Sequence, residues 1–175
     1  MIIKKYKNLV STNTETKEMA LRGAEPWTVV LSEEQSSGYG RKGDGWFSPK
    51  GGLYFSVILP KGNIDDLQTI TILAAFVVGK VIKEKFQLEP LIKLPNDVLI
   101  GNRKVCGILT ENVIGGEVKA SVIGIGLNTN IDEFPSELKD TATSLKNETQ
   151  KEINNEEILN EITTELQKQF KIISK

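Results

Sequence analysis

The sequence predicts an α+β domain, a mixed, largely antiparallel sheet flanked by helices, and three observations predict it. Runs with strand character outnumber runs with helix character. Beyond residue 90 the strand runs follow one another across turns too short for a crossover helix. Apart from them stand long stretches whose apolar residues recur at helical spacing. The 175 residues fit a single domain with one core.

Each element has its own signal. Residues 2–9 read as a short strand. Ser11, Thr12 and Asn13 offer side-chain oxygens able to cap a helix over 14–22, which Gly23 would close. Residues 27–34 are β-rich and read as a strand. Residues 38–52 hold six of the chain's 15 glycines, with Pro49 among them, which is the composition of a mobile loop. A strand resumes over 53–59 and stops at Pro60. Over 65–86 the residues Leu67, Ile70, Leu73, Ala74, Val77, Val81 and Ile82 form one helical stripe. Strands follow over 91–94, 98–100, 105–113 and 118–127, with turns at Gly101-Asn102 and Gly115-Gly116. A last helix is expected over 156–170, with Ile158, Leu159, Ile162, Leu166 and Phe170 on one face. Asn154 and Glu157 have capping-box spacing before it.

Composition excludes several function classes. Lysine plus arginine is 22 and aspartate plus glutamate 23, a net charge of -1. That balance argues against a general polyanion binder and leaves room for a local basic site. There is no histidine and only one cysteine, Cys106. Ser-His-Asp and Cys-His catalysis, a zinc site of Cys and His, and an internal disulfide are therefore out. Chemistry must run on lysine, arginine, carboxylates, hydroxyls or a metal–phosphate complex. With no signal-peptide pattern and no membrane-length apolar run, a cytoplasmic enzyme or binding domain is expected, with no membrane partner.

Two segments concentrate positive charge. One is 38–50, with Arg41, Lys42 and Lys50 against Asp44. The other is 93–104, with Lys93, Arg103 and Lys104 against Asp97. If they meet, they form an anion pocket in a near-neutral protein. In the first, the alternating glycines of Gly38-Tyr39-Gly40-Arg41-Lys42-Gly43 let backbone N–H groups approach a ligand, and arginine adds a planar fork for phosphate or carboxylate. A solvated hairpin tip would have the same spacing. Trp46 and Phe47 are out of place in such a tip and suit a surface that closes on something flat. In the second, Pro95 ends a strand, so Asn96 and Asp97 sit at a strand junction. A hairpin would bring Asp97 near Lys104. By periodicity alone that pair is an exposed ion pair of about 0–1 kcal/mol.

In order and spacing these segments resemble the biotin protein ligase family. The resemblance is carried by Ser11-Thr12-Asn13, by Glu34-Gln35-Ser36-Ser37-Gly38 running on to Gly43, and by Trp46, Ser48-Pro49, Gly52-Leu53 and Ser56. It continues through Lys93-Leu94-Pro95-Asn96-Asp97, Arg103-Lys104-Val105-Cys106-Gly107-Ile108-Leu109, Gly124-Ile125-Gly126-Leu127-Asn128 and Thr143-Ser144-Leu145.

The resemblance implies a class II synthetase-like catalytic domain. Biotin's carboxylate attacks the α-phosphate of MgATP, and a carrier-domain lysine then takes the biotinyl group and releases AMP. Biotin is the substrate, ATP and Mg2+ the cofactors, and a biotin carboxyl carrier protein the partner. Arg41, Lys104 and Asp97 would be catalytic. Ser11, Thr12, Asn13, Gln35, Gly38, Tyr39 and Gly107 would line the biotin site. Arg41, Lys42, Trp46, Lys93, Asn96 and Asn128 would hold the nucleotide. No protein-bound metal is implied beyond the Mg2+ that arrives with ATP.

The departures are Tyr39 where the family's loop usually has arginine, which loses one cationic contact, and Leu94 where tryptophan is common. The resemblance implies one catalytic domain over 1–175, without a DNA-binding domain before it or an SH3-like barrel after it. It implies no nucleic-acid partner and leaves a homodimer through exposed sheet edges open. Two alternatives stand beside it: a lipoate or octanoate ligase or transferase of the same fold, and a catalytically weak biotin or biotinyl-AMP binding module.

Overall fold

Runs rich in branched and aromatic residues build seven strands among the described residues, and residues at helical spacing build the helices that cover them. The computed structural model describes residues 1–60 and 66–173. Its elements are β1 (Ile2–Leu9), α1 (Thr12–Leu21), β2 (Thr28–Gln35), β3 (Leu53–Leu59), α2 (Leu67–Phe86), β4 (Pro90–Lys93), β5 (Asp97–Ile100), β6 (Arg103–Gly115), β7 (Glu117–Leu127), α3 (Leu145–Thr149) and α4 (Asn155–Ile173).

The sheet runs β1-β2-β3-β7-β6-β5-β4. Among the described residues β1 and β2 pair in parallel, and the other strand pairs of the sheet are antiparallel. The predicted mixed, largely antiparallel sheet is thus observed.

Register decides which residues face the site. Tyr54 pairs with Gly126, Gly126 with Gly107, and Gly107 with Asp97. Ser56 pairs with Gly124, and Gly124 with Leu109. Paired residues share a face, so these form one surface across four strands. On the opposite face Leu53, Phe55, Val57 and Leu59 of β3 join Ile123, Ile125 and Leu127 of β7 in the hydrophobic core. There α2 packs on β4, β5, β6 and α4. The first face carries α1, which packs on β2, β3, β6 and β7. One face is therefore sealed by apolar helices, and the other is lined by glycines and polar groups beneath α1.

Several boundaries move for identifiable reasons. β2 begins at Thr28 because Trp27 takes a left-handed backbone (φ 64) and donates its N–H to Ile58 O at 2.7 Å. The helix expected from Asp65, which lies outside the described residues, starts at Leu67 with Asp66 as its cap, accepting from Gln68 N at 2.9 Å. β4 stops at Lys93, ahead of a cis Leu94-Pro95 peptide. The Asn154 cap holds: its Oδ1 accepts from Glu156 N and Glu157 N at 3.1 and 3.2 Å.

The apolar face of α4 closes the core, with Ile162 fully buried and Phe170 edge-on to Trp27 at 5.5 Å between centroids. Ile162→Ala is expected to lower stability by about 2–5 kcal/mol. Urea denaturation checks this; a loss below about 1 kcal/mol would mean that α4 packs loosely.

Candidate active site

The capping role expected for residues 11–13 is not what the structure shows. Ser11 sits at the N-cap position of α1, but its side chain makes no capping hydrogen bond, and the helix starts at Thr12 rather than Thr14. Gln35, from the end of β2, accepts the Thr12 N–H at 2.8 Å and the Thr12 hydroxyl at 3.1 Å. A neighbouring strand thus satisfies the helix end, and the three side chains are released toward the sheet, where all are buried. Ser56 Oγ lies 2.8 Å from Thr12 Oγ1 and 2.6 Å from Asn13 Oδ1. Asn13 fits because residue 124 has no side chain: a Cβ there would stand 2.1 Å from Asn13 Oδ1.

The glycine-rich segment folds over this surface. Gly40 N–H reaches Asp44 O at 2.7 Å, and Trp46 N–H reaches Gly38 O at 2.9 Å. Gln35 Nε2 donates to Ser48 Oγ at 2.8 Å, and the Tyr54 hydroxyl donates to Pro49 O at 2.8 Å. The far end of the segment is therefore fastened to the sheet. Trp46 lies across the bare strands: a Cβ at Gly126 would meet its Nε1 at 2.4 Å. The Lys104 ammonium stands 5.1 Å from the Trp46 ring centroid, within cation–π range.

Arg41 crosses from the loop to the β4–β5 turn and donates to Asn96 Oδ1 at 3.2 Å. One residue on, Asp97 Oδ1 is 2.7 Å from Lys104 Nζ, but the ammonium is out of line for a hydrogen bond, so this buried oxygen has a charge partner and no aligned donor. Lys104 itself is fixed at the backbone by Thr141 O, 2.7 Å from its N–H, and by Thr143 N–H, 3.0 Å from its carbonyl. The two cationic segments do meet.

Two adjoining cavities of about 330 Å³ each result. The first is lined by Ser11, Thr12, Asn13, Gln35, Tyr39 and Gly107. Arg41, Lys42, Trp46, Asn96, Asp97 and Lys104 also line it. Lys93 and Asn128 line the second, where Trp46, Asp97 and Lys104 reappear as the shared wall. Gly38 lines neither; it is buried beneath the loop, where a Cβ would stand 2.6 Å from Ser48 Oγ.

The second cavity is an apolar slot. Phe47, Leu99, Phe134, Leu138 and Ala142 join Trp46 in its walls, and the Phe47 and Phe134 rings lie 6.2 Å apart. Asn128 gives its Nδ2 to Thr143 O at 3.0 Å, while its buried Oδ1 has no partner. The Trp46 Nε1 is likewise buried and unpartnered. Such groups cost free energy unless a ligand supplies the missing hydrogen bond.

Sequence reasoning missed Phe134 and Leu138, whose segment has no periodicity. It also missed Lys17, which follows Asn13 at helical spacing, and Glu111, which follows Gly107 and Leu109 at strand spacing. These last two meet: Glu111 accepts from Lys17 Nζ and Asn13 Nδ2, both at 2.8 Å, and from the Tyr39 hydroxyl at 2.9 Å. Lys17 thereby places a cation beside Tyr39, where the resemblance implied that one is lost.

Burial pushes the Glu111 carboxyl up, but the hydrogen bonds from Lys17, Asn13 and Tyr39 outweigh it and hold it below its ordinary 4.5. A lowered folded value stabilises above the ordinary value and loses that contribution as pH falls through the folded one. Between pH 4.5 and the folded value below it, Glu111→Gln is expected to lose less stability than the wild type. Acid titration monitored by near-ultraviolet circular dichroism checks this; parallel curves would mean that Glu111 is not held as an anion.

Among the described residues no cluster of three or more side chains could hold a metal ion, and no helix is long and apolar enough to cross a membrane. The carboxylates on the first cavity are Asp44 and Asp97.

Known proteins share this arrangement. A sequence profile of the Biotin/lipoate A/B protein ligase family matches residues 7–128. The bifunctional ligase/repressor BirA of Bacillus spizizenii is 35% identical over 172 residues, covering 95% of this chain and 53% of that protein. The biotin–[acetyl-CoA-carboxylase] ligase of Paracoccus denitrificans is 36% identical over 124 residues, covering 67% of this chain and 50% of that one. The chain thus spans about half the length of these relatives. The structure of the Aquifex aeolicus biotin protein ligase with biotin and ATP superposes with a TM-score of 0.90 at 30% identity, covering 99% of this chain and 72% of that one. The profile covers most of the chain, and the protein belongs to the Biotin/lipoate A/B protein ligase family.

Proposed function

We propose that this chain is a cytoplasmic biotin protein ligase, which activates biotin with MgATP and passes it to a lysine of a biotin carboxyl carrier domain. The observation that carries this reading is the double cavity: a polar compartment under α1, a flat apolar compartment beyond Trp46, and Arg41, Asp97 and Lys104 at their junction.

Biotin's ring system would occupy the polar compartment, where Ser11, Thr12, Asn13 and Gln35 offer hydroxyl and amide groups. Adenine would fill the apolar slot against Trp46, its amino group donating to the unpartnered Asn128 Oδ1. Lys93, Lys42 and Asn96, which line these cavities, would meet the phosphates. Magnesium would arrive on the triphosphate, with Asp44 and Asp97 the carboxylates nearest to receive it.

The two anions then meet between Arg41 and Lys104. A biotin carboxylate oxygen attacks the α-phosphorus, the bond to the bridging oxygen breaks, and pyrophosphate leaves. The nucleophile is already an anion and needs no base, which suits a chain without histidine. The protein's work is to hold like charges together and to stabilise the charge that builds on phosphorus. In the second step the carrier's amine attacks the acyl carbon, AMP leaves, and Asp97 would take the amine's proton.

Biotin-dependent exchange of labelled pyrophosphate into ATP tests the reading. Exchange with biotin and none with lipoate is expected. Exchange with lipoate alone would move the chain to the lipoate branch of its family. Tight biotin binding without exchange would make it a binding module.

A further inference from the structure

We infer that Glu111, backed by Lys17, is a positioning residue that fastens the glycine-rich loop and the head-group amide Asn13 to one anchor. The inference rests on the proposed biotin site for its ligand, but its geometry is independent of it.

Glu111 is a β6 residue on the site face, two residues beyond Leu109. Its two oxygens gather three donors from two parts of the chain: Asn13 Nδ2 and, one turn later, Lys17 Nζ of α1, and the Tyr39 hydroxyl of the loop. Lys17 Nζ also stands 3.0 Å from the Tyr39 oxygen. The Lys17 and Glu111 side chains are about 29% and 26% exposed, so the pair is partly withdrawn from water and less screened than a surface pair.

Two consequences follow from donor and acceptor chemistry. A carboxylate only accepts, so Asn13 must turn its NH2 toward Glu111. That fixes Oδ1 toward Ser56 and Gly124, leaving its second lone pair as an acceptor for the N–H of a cyclic urea. Without Glu111 the amide could turn over and present a donor where an acceptor is needed. Second, Tyr39 lies two residues before Arg41. Holding its hydroxyl on β6 holds the loop closed, and with it the guanidinium that reaches Asn96. Head-group polarity and loop closure therefore share one carboxylate. The mechanism above uses neither Glu111 nor Lys17.

The experiment uses the full chain without ligand and then with biotin. Arg41 and Lys42 are exposed, so trypsin cleavage after them reports how often the loop lifts. Tyr39→Phe removes one hydroxyl and is expected to raise the cleavage rate about five- to tenfold at an unchanged thermal midpoint. Glu111→Leu removes both acceptor oxygens; it is expected to raise cleavage similarly and to weaken biotin binding about tenfold or more, with Glu111→Asp restoring part of both. The double variant Tyr39→Phe/Glu111→Leu should cleave no faster than Glu111→Leu alone, because both remove the contact between Tyr39 and β6. Should Glu111→Leu not fold, Tyr39→Phe and Lys17→Met carry the cleavage arm.

Equal cleavage of wild type and Tyr39→Phe, or rates that multiply in the double variant, overturns the inference. A wild type that shows the cleavage pattern and ignores biotin overturns the proposed ligand and leaves the loop anchor standing. A wild type that binds biotin with unaltered cleavage in every variant overturns the anchor alone.

Discussion

Lys104→Ala is expected to slow biotin-dependent pyrophosphate exchange about 10²- to 10³-fold while changing biotin affinity less than about tenfold. The ammonium stands at the wall between the two cavities, 2.7 Å from Asp97 and 5.1 Å from the Trp46 centroid. It shares a cavity with the hydroxyl and amide cluster under α1, and that cluster would carry most of the binding. Its charge matters most when the carboxylate and the α-phosphate come together and negative charge builds between them. An interaction that strengthens on the way to the transition state acts on rate rather than on ground-state binding. Lys104→Arg keeps the charge but changes reach and shape, so it should recover only part of the rate. Exchange kinetics beside isothermal titration separate the two effects. Equal losses in rate and affinity would place Lys104 in head-group binding instead.

Gly124→Ala is the second large effect: biotin affinity should fall about 10²-fold or more, with the fold retained. A Cβ at residue 124 would stand 2.1 Å from Asn13 Oδ1 and 2.8 Å from its Cγ. Asn13 cannot step aside cheaply, since it is buried and tied to Glu111 at one end and Ser56 at the other. Displacing it breaks both hydrogen bonds and leaves polar groups unpaired, at about 1–3 kcal/mol for each group stranded. The backbone of β7 is unaffected, because its ladder to β3 and β6 uses main-chain atoms. Titration with biotin and a thermal melt, run together, check both halves. Unchanged affinity would mean that Asn13 does not face the ligand.

The sheet and its helices were legible because their signals are local. The β-rich apolar runs of β3 and β7 and the stripe along α2 are patterns contained within single segments. The short α3, whose Leu145 and Lys146 N–H groups go to the Asn128 and Thr129 carbonyls, and the exact start of α1 depended on groups farther away in the chain. Ser11 has the composition of a cap, yet Gln35 took that work, and no local pattern contains a bond between positions 12 and 35. The chemistry of the loop was legible in its arginine and glycines. The slot built from Phe134 and Leu138 was not, because its residues lie in an irregular connection whose path is set by pairing with Lys104.

The sequence by itself determined the element types, the absence of histidine chemistry, and the two cationic segments, since these are properties of residues and of spacing along one strand or helix. Only the tertiary structure decided that Arg41 would reach Asn96, that Trp46 would lie on a floor of glycines, and that Glu111 would join Lys17 to Tyr39. Those contacts are set by strand register and by the angle at which α1 crosses the sheet. Both minimise the free energy of the whole chain and are encoded in no single segment of it.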